Sequence, residues 1–187
     1  MSTGQPFGSP MSPAEAVAKA AAALAPTFQP SAPPSSGPVR LTSGDPSLPD
    51  AELSMVRDRR LFSRTWPLVV EARATGSGPA GPIVLRLHRR RLRGQPRLRG
   101  DSPDTDPWPR RFVGAGLLAG ATTMTGIQDL RLEWTPERRT WRLRLQTLAG
   151  GLIGTAPGSS IAVPMEPDDV RGLMQILRAL RKGATPP

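Results

Sequence analysis

The clearest alternation of apolar and polar positions lies in residues 129–148, DLRLEWTPERRTWRLRLQTL. Pairing Trp134 with Trp141 across a short turn also places Leu132 opposite Leu143. The same register opposes Leu130 to Leu145 and Glu133 to Arg142. Because one register satisfies every apolar pair, the segment predicts a half-buried β-hairpin whose tryptophans belong to the core or its rim.

Two further strands are predicted in residues 66–93. In the first, one face is formed by Leu68, Val70, Ala72 and Ala74, which alternate with Val69, Glu71 and Arg73. After the turn-forming segment TGSGPAG, Ile83, Leu85 and Leu87 alternate in the same way. After Leu87 the alternation fails, so we expect the end of the second strand to be bulged, twisted or free in solvent. The glycine-bearing segments GAGLLAG, residues 114–120, and LAGGLIGTAPG, residues 148–158, are candidates for further strands in which neighbouring backbones approach closely.

The C-terminal region predicts a strand followed by a helix over residues 167–182. Pro167 suits the first helical position, and Gly183 suits a left-handed C-cap. The helix has one apolar stripe, formed by Val170, Leu173, Met174, Leu177 and Leu180. We therefore expect this helix to cover the sheet.

The N-terminal region predicts a short helix and a linker. Ser12 and Glu15 form a capping-box pattern around Pro13, and the alanines that follow favour a helix over about residues 12–24. Such a helix is only marginally stable alone, so it is either transient or docks on a protein partner. Residues 25–50 are rich in proline and serine and predict a flexible linker, with order beginning near residue 53.

These patterns predict a mainly β protein of the α+β class. We expect an antiparallel sheet or partial barrel covered by a C-terminal helix, with a disordered N-terminal leader. The expected division is a leader over residues 1–50 and a β-rich domain over residues 51–187.

Composition excludes several functional classes. The chain has no cysteine and one histidine, which excludes disulfides, thiolate nucleophiles and cysteine- or histidine-rich metal sites. No phosphate loop, serine-nucleophile elbow or zinc-helix motif is present, and GAGLLAG misses the dinucleotide-binding spacing by one position. We therefore expect no enzymatic activity, no cofactor and no metal.

Localisation is predicted from two absences in the sequence. The N-terminal residues lack a secretory signal pattern, and the longest weakly polar stretch is shorter than the ~20 apolar residues that cross a bilayer. The expectation is a cytoplasmic protein without a membrane partner.

The net charge of +10 is concentrated in one stretch. Residues 85–100, LRLHRRRLRGQPRLRG, contain seven arginines and His88, the chain's only histidine. Arginine suits phosphate because its planar guanidinium donates two hydrogen bonds and stays charged. The candidate nucleic-acid-binding arginines are Arg86, Arg89, Arg90, Arg91, Arg93, Arg97, Arg99, Arg110 and Arg111. Trp108 and Phe112, next to the last two, are the candidates for base stacking.

Two other interpretations of the arginines remain open. Edge strands are often charged because charge prevents sheet-to-sheet aggregation, and a basic patch can also bind a protein partner. Lys19 and Lys182 are the only lysines among the 25 basic residues, so part of the arginine content reflects a compositional preference for arginine.

The segment PGSSIAVPMEPDDVRGLMQIL, residues 157–177, resembles the ending of Whirly-like and related single-strand DNA-binding domains. Pleckstrin-homology-like domains also end in a strand and a capping helix. The first resemblance implies a nucleic-acid-binding protein, single-stranded or sequence-nonspecific, which is the function we expect. The second implies the alternative, a pleckstrin-homology-like or other β-scaffold module for protein interaction and assembly.

Overall fold

The computed structural model describes residues 11–31, 37–60, 63–88, 96–101, 106–156 and 159–186. Its helices are α1 Pro13–Leu24, α2 Trp108–Gly114, α3 Leu117–Thr123 and α4 Pro167–Ala184. Its strands are β1 Phe28–Pro30, β2 Val39–Ser43, β3 Ala51–Met55, β4 Asp58–Arg60, β5 Ser63–Thr75, β6 Ile83–His88, β7 Arg97–Gly100, β8 Ile127–Thr135, β9 Thr140–Ala156 and β10 Ser159–Ala162.

All ten strands belong to one antiparallel sheet. Eight of them follow the order β1-β2-β3-β5-β9-β8-β6-β7, while β4 pairs with β5 and β10 pairs with β9. The strands β1 and β7 lie at opposite ends of that order, so the described sheet is open. The predicted α+β class, an antiparallel sheet covered by a C-terminal helix, is confirmed.

The central hairpin, β8 and β9, has the predicted register. Trp134 pairs with Trp141, Leu132 with Leu143, and the flanking pairs follow in the same order. Both tryptophans are buried, as expected. The predicted strands of residues 66–93 correspond to β5 and β6, which are separated in the sheet by β9 and β8.

The sheet has two chemically different faces. The inner face lies against the helices and contains the buried residues of alternate strand positions, such as Leu85, Leu132, Leu143 and Val70. The outer face contains the residues between them, most of which are charged. This division gives α4 one apolar surface to cover.

The helix α4 packs on the inner face through its predicted stripe. Leu173, Leu177 and Leu180 are fully buried. The helix continues through Gly183 and ends at Ala184, so the predicted left-handed cap at Gly183 is wrong. A Cβ atom on Gly183 would collide with the ring of Phe112, which shows that the glycine is needed for close packing.

The expectation of a disordered leader over residues 1–50 is wrong for the part of it that the structure describes. The helix α1 forms with its capping box, in which the Glu15 amide donates to Ser12 Oγ at 3.3 Å. Its residues Val17 and Leu24 are buried in the same core cluster as Phe28 of β1 and Leu41 of β2. Other predicted features of this region, including the disorder of residues 1–10, lie outside the described residues.

Residues 11–31 and 37–50 therefore belong to the domain, and the predicted boundary at residue 51 and the linker over 25–50 are corrected. Val39 and Leu41 alternate with exposed residues over one short strand, and β2 pairs with β3. Residues 25–50 contain few large apolar side chains, and the four in the described part, Phe28, Val39, Leu41 and Leu48, are all buried. Composition alone suggested a linker because proline and serine surround these few positions.

The segment 114–120 contains the end of α2 and the first part of α3, which corrects its interpretation as a glycine-bearing strand. Phe112 lies in α2 and Gly120 in α3. A Cβ atom on Gly120 would come within 2.7 Å of the carbonyl oxygen of Gly172 in α4, so the two helices touch through their glycines. A short apolar run does not distinguish a strand from a buried helix, and the contact with α4 decides it.

The N-terminus of α4 is joined to the start of β8 by Asp169, which is 1% exposed. Its carboxylate accepts hydrogen bonds from the Thr125 amide at 2.7 Å and the Thr125 hydroxyl at 2.9 Å, and from the Glu166 amide at 3.2 Å. The side chain is thus both a helix cap and a link between two elements.

We predict that Asp169→Ala lowers the free energy of unfolding by about 1–3 kcal/mol, because it leaves two amides and a hydroxyl without their acceptor. The exposed neighbour Asp168 is the matched control, since Asp168→Ala removes a first-turn charge at a cost of about 0.3–1 kcal/mol. Urea denaturation of both variants measures the difference. Equal destabilisation by the two substitutions would show that only the helix dipole matters.

Candidate nucleic-acid interface

Part of the arginine-rich stretch forms a hairpin at one end of the sheet. In β6 and β7, Leu85 and Leu98 are buried on the inner face, while Arg86, Arg97 and Arg99 are exposed. Arg86 pairs directly with Arg99, and His88 pairs with Arg97. Alternation along both strands therefore directs the three arginines and His88 to the outer face.

The pair Arg86 and Arg99 continues a row of arginines across the sheet. Arg131 of β8 pairs with Arg86, and Arg144 of β9 pairs with Arg131. Neighbouring strands lie about 4.8 Å apart, so the four positions span about 14 Å. Directly opposed like charges destabilise a sheet, so this row needs compensating carboxylates or an anionic ligand.

Carboxylates compensate the β9 end of the row. Glu71 lies 2.6 Å from Arg142 and 3.7 Å from Arg144, measured between guanidinium nitrogen and carboxylate oxygen. The hydrogen bond from Arg142 to Glu71 raises the pKa of that guanidinium above its usual value. Similarly, Arg131 is paired with Glu133 at 2.9 Å and with Asp129 at 3.7 Å.

The β7 end of the row is compensated less. Arg86 has an ion pair with Asp101 at 3.8 Å, and both side chains are about half exposed. Among the described residues, no carboxylate forms an ion pair with Arg97 or Arg99. Within this row, the part on β6 and β7 therefore has the least carboxylate compensation. We call the exposed residues Arg86, His88, Arg97 and Arg99 the basic hairpin.

The other predicted arginines of this stretch, Arg89, Arg90, Arg91 and Arg93, lie outside the described residues. They connect β6 to β7 in the sequence.

The structure does not bring the predicted residues of α2 to the outer face. Arg110 is exposed and pairs with Asp106 at 2.9 Å. Arg111 lies over the ring of Trp108, with its guanidinium carbon 5.1 Å from the ring centroid. The helix lies beside β7 and α4 in the inner layer.

The prediction that Phe112 stacks on bases is wrong for this structure, because Phe112 is fully buried. Its ring packs edge-on against Trp141 at 4.8 Å between centroids, and Trp108 packs on the same ring at 5.4 Å. Trp108 is partly buried, and one part of its surface is occupied by Trp141 and another by Arg111. These aromatic residues therefore pack in the inner layer. The prediction had placed them on the surface because nothing in the neighbouring sequence indicated that α2 faces the core.

Sequence reasoning missed a groove between the edge of the sheet and α2. It has a volume of about 840 Å³ and lies between β7 and the residues Pro109, Arg110, Val113 and Leu118. Pro109 and Val113 are four residues apart and share one face of α2. A helical assignment of 108–114 would have revealed that shared face. We call this cleft the edge groove.

Among the described residues, no three histidine, cysteine, aspartate or glutamate side chains are grouped to hold a metal ion. Within the same part of the chain, no helix is both long enough and apolar enough to cross a membrane. No family model, curated protein or solved structure matches this chain.

Proposed function

We propose that this protein binds nucleic acid without sequence specificity, through contacts between the basic hairpin and phosphate groups. The observation that supports this most directly is the cross-strand pair of Arg86 and Arg99, next to the pair of His88 and Arg97. Opposed cations on an exposed sheet face are unfavourable by themselves, and a row of phosphates offsets that repulsion. Arg89, Arg90, Arg91 and Arg93, which lie outside the described residues, remain candidates for phosphate contacts on the sequence pattern alone.

Because Phe112 is buried, the proposed binding does not include base stacking by α2. The affinity is then expected to arise mainly from phosphate contacts and counterion release. Such binding depends strongly on salt and only weakly on base identity. Single-stranded and duplex DNA are therefore both ligands to test.

The first test is anisotropy of a fluorescein-labelled twenty-residue oligo(dT) and of a mixed-sequence duplex, titrated with the full chain at several salt concentrations. We expect binding at low salt that weakens steeply as salt increases. Binding that is absent at low salt, or indifferent to salt, would exclude the proposal.

The double variant Arg86→Ala with Arg99→Ala is expected to weaken oligo(dT) binding about tenfold and to reduce the salt slope by about 1.4, since each single-strand phosphate contact contributes about 0.7. The matched control is Arg40→Ala with Arg73→Ala, which removes the same charge from exposed outer-face positions on β2 and β5. Equal weakening by both double variants would show that net charge alone matters and that the basic hairpin is not a site. Thermal melting of both variants verifies that they are folded.

A second candidate function, a β-scaffold module for protein interaction, is favoured by one separate observation. The edge groove has an apolar wall, which a purely phosphate-binding surface does not require.

A further inference from the structure

The edge groove lies next to the last strand in the sheet order. Within the described part of the chain, β7 pairs with β6 alone. The Asp101 amide donates to the Val84 carbonyl at 3.2 Å, so the backbone groups at alternate positions from Asp101 point toward β6. In an antiparallel pair the positions between them point the other way. The amides and carbonyls of Leu98 and Gly100 therefore face the open edge.

The wall of the groove opposite this edge is apolar. Pro109, Val113 and Leu118 line it, and Leu98 contributes from β7. Val113 is 38% exposed, which makes it one of three large apolar residues among the described ones that remain exposed. An extended segment lying along β7 would have one of its two faces against this wall.

The rim of the groove on the outer-face side is cationic. Arg97 and Arg99 point to that side and have no ion-pair partner among the described residues. Asp101, two positions after Arg99, is paired with Arg86 at 3.8 Å, and Asp106 is paired with Arg110. A segment lying along β7 would therefore have its second face beside two uncompensated arginines. Alternation of side chains along a strand makes these two environments alternate in sequence as well.

We propose that the edge groove binds an extended acidic segment of another protein, which adds to the sheet as a strand beside β7. In that segment, apolar residues would pack against Val113 and acidic residues would pair with Arg97 and Arg99, so the two types alternate. This is the strand-addition mode of peptide recognition, in which the main chain provides affinity and alternate side chains provide specificity.

Two other occupants fit less well. A second copy of this chain paired edge to edge through β7 would bring the arginines of both strands together, which is unfavourable. A nucleic acid has no backbone amides to match the edge and no side chain to cover Val113. The edge groove and the basic hairpin share Arg97 and Arg99, but Arg86 lies outside the groove and Val113 outside the basic hairpin. Variants of Arg86 and Val113 therefore distinguish peptide binding in the groove from phosphate binding on the hairpin.

The probe for this proposal is a fluorescein-labelled eight-residue peptide of alternating glutamate and valine, titrated into the full chain and followed by anisotropy. A peptide of alternating lysine and valine is the charge control. A third peptide is the glutamate–valine sequence with its amides methylated at every second residue, which removes the hydrogen bonds to one edge. We expect the first to bind, and the other two to bind at least tenfold more weakly.

Val113→Asp is expected to weaken binding of the glutamate–valine peptide at least tenfold. Val56→Asp is the matched control, because Val56 is 42% exposed and is not among the residues that line the groove. Equal loss in both variants, or no binding of this peptide to the wild-type chain, would overturn the proposal.

A charge exchange keeps the test decisive if Val113→Asp fails to fold. The double variant Arg97→Glu with Arg99→Glu should lose the glutamate–valine peptide and acquire binding of the lysine–valine peptide. Arg86→Ala distinguishes the two surfaces. If Arg86→Ala weakens peptide binding as much as Val113→Asp does, the peptide binds as a polyanion on the basic hairpin, and the groove proposal is overturned.

Discussion

Deletion of residues 1–50 is expected to lower the free energy of unfolding by more than about 5 kcal/mol, which is the whole stability of many domains. The deletion removes Leu24, Phe28 and Leu41, each no more than 1% exposed. Burial of such a side chain contributes about 1.5–3 kcal/mol, and the deletion also uncovers the edge of β3. Circular dichroism melting of the 51–187 fragment and of the full chain measures the effect, and we expect no cooperative transition in the fragment.

A point variant separates packing by α1 from simple loss of chain length. Leu24→Ala should cost about 2–5 kcal/mol through the lost transfer free energy and the residual cavity. Gln29→Ala, at an exposed position of β1, is the control and should change stability little. If the fragment melts at the temperature of the full chain, the N-terminal elements do not contribute to the core as the contacts indicate.

Trp141→Ala is expected to lower the free energy of unfolding by about 3–5 kcal/mol. Trp141 is fully buried, and its ring contacts those of Trp108, Trp134 and Phe112 at centroid distances of 5.4, 5.3 and 4.8 Å. Its indole nitrogen donates to the Ser77 carbonyl at 2.8 Å, which ties the connection between β5 and β6 to the hairpin. The substitution removes all of these contacts together.

Two comparison variants identify the cause of the loss. Trp141→Phe retains an aromatic ring but removes the hydrogen bond to Ser77, so it should cost less than the alanine variant. Trp66→Ala removes a half-buried tryptophan outside this ring cluster, and it should also cost less. Chemical denaturation of the three variants ranks them. A Trp66 variant that is as destabilised as Trp141→Ala would show that the ring cluster has no special weight.

The sequence was most informative where partners are close along the chain. The register of the Trp134 and Trp141 hairpin, the capping box of α1 and the apolar stripe of α4 were all confirmed. Each depends on residues within about twenty positions of one another, for which periodicity and capping chemistry are strong constraints.

The candidate site was predictable only in part, because some of its contacts join residues that are distant in sequence. Alternation along β6 and β7 is a local property, and the exposure of Arg86, Arg97 and Arg99 follows from it. The burial of Phe112 does not, because it depends on Trp141 and on Gly183 of α4, which are distant in sequence. The edge groove also depends on where α2 lies relative to β7.

By itself, the sequence determined the α+β class, the central hairpin and the presence of a basic, exposed segment. The tertiary structure decided that α1, β1 and β2 belong to the core, that 108–123 is helical, and that the aromatic residues of α2 face inward. The physical reason is that a few apolar residues in a polar segment are buried only if a distant surface accepts them. Leu24, Phe28 and Leu41 find that surface on a sheet assembled mostly from later parts of the chain.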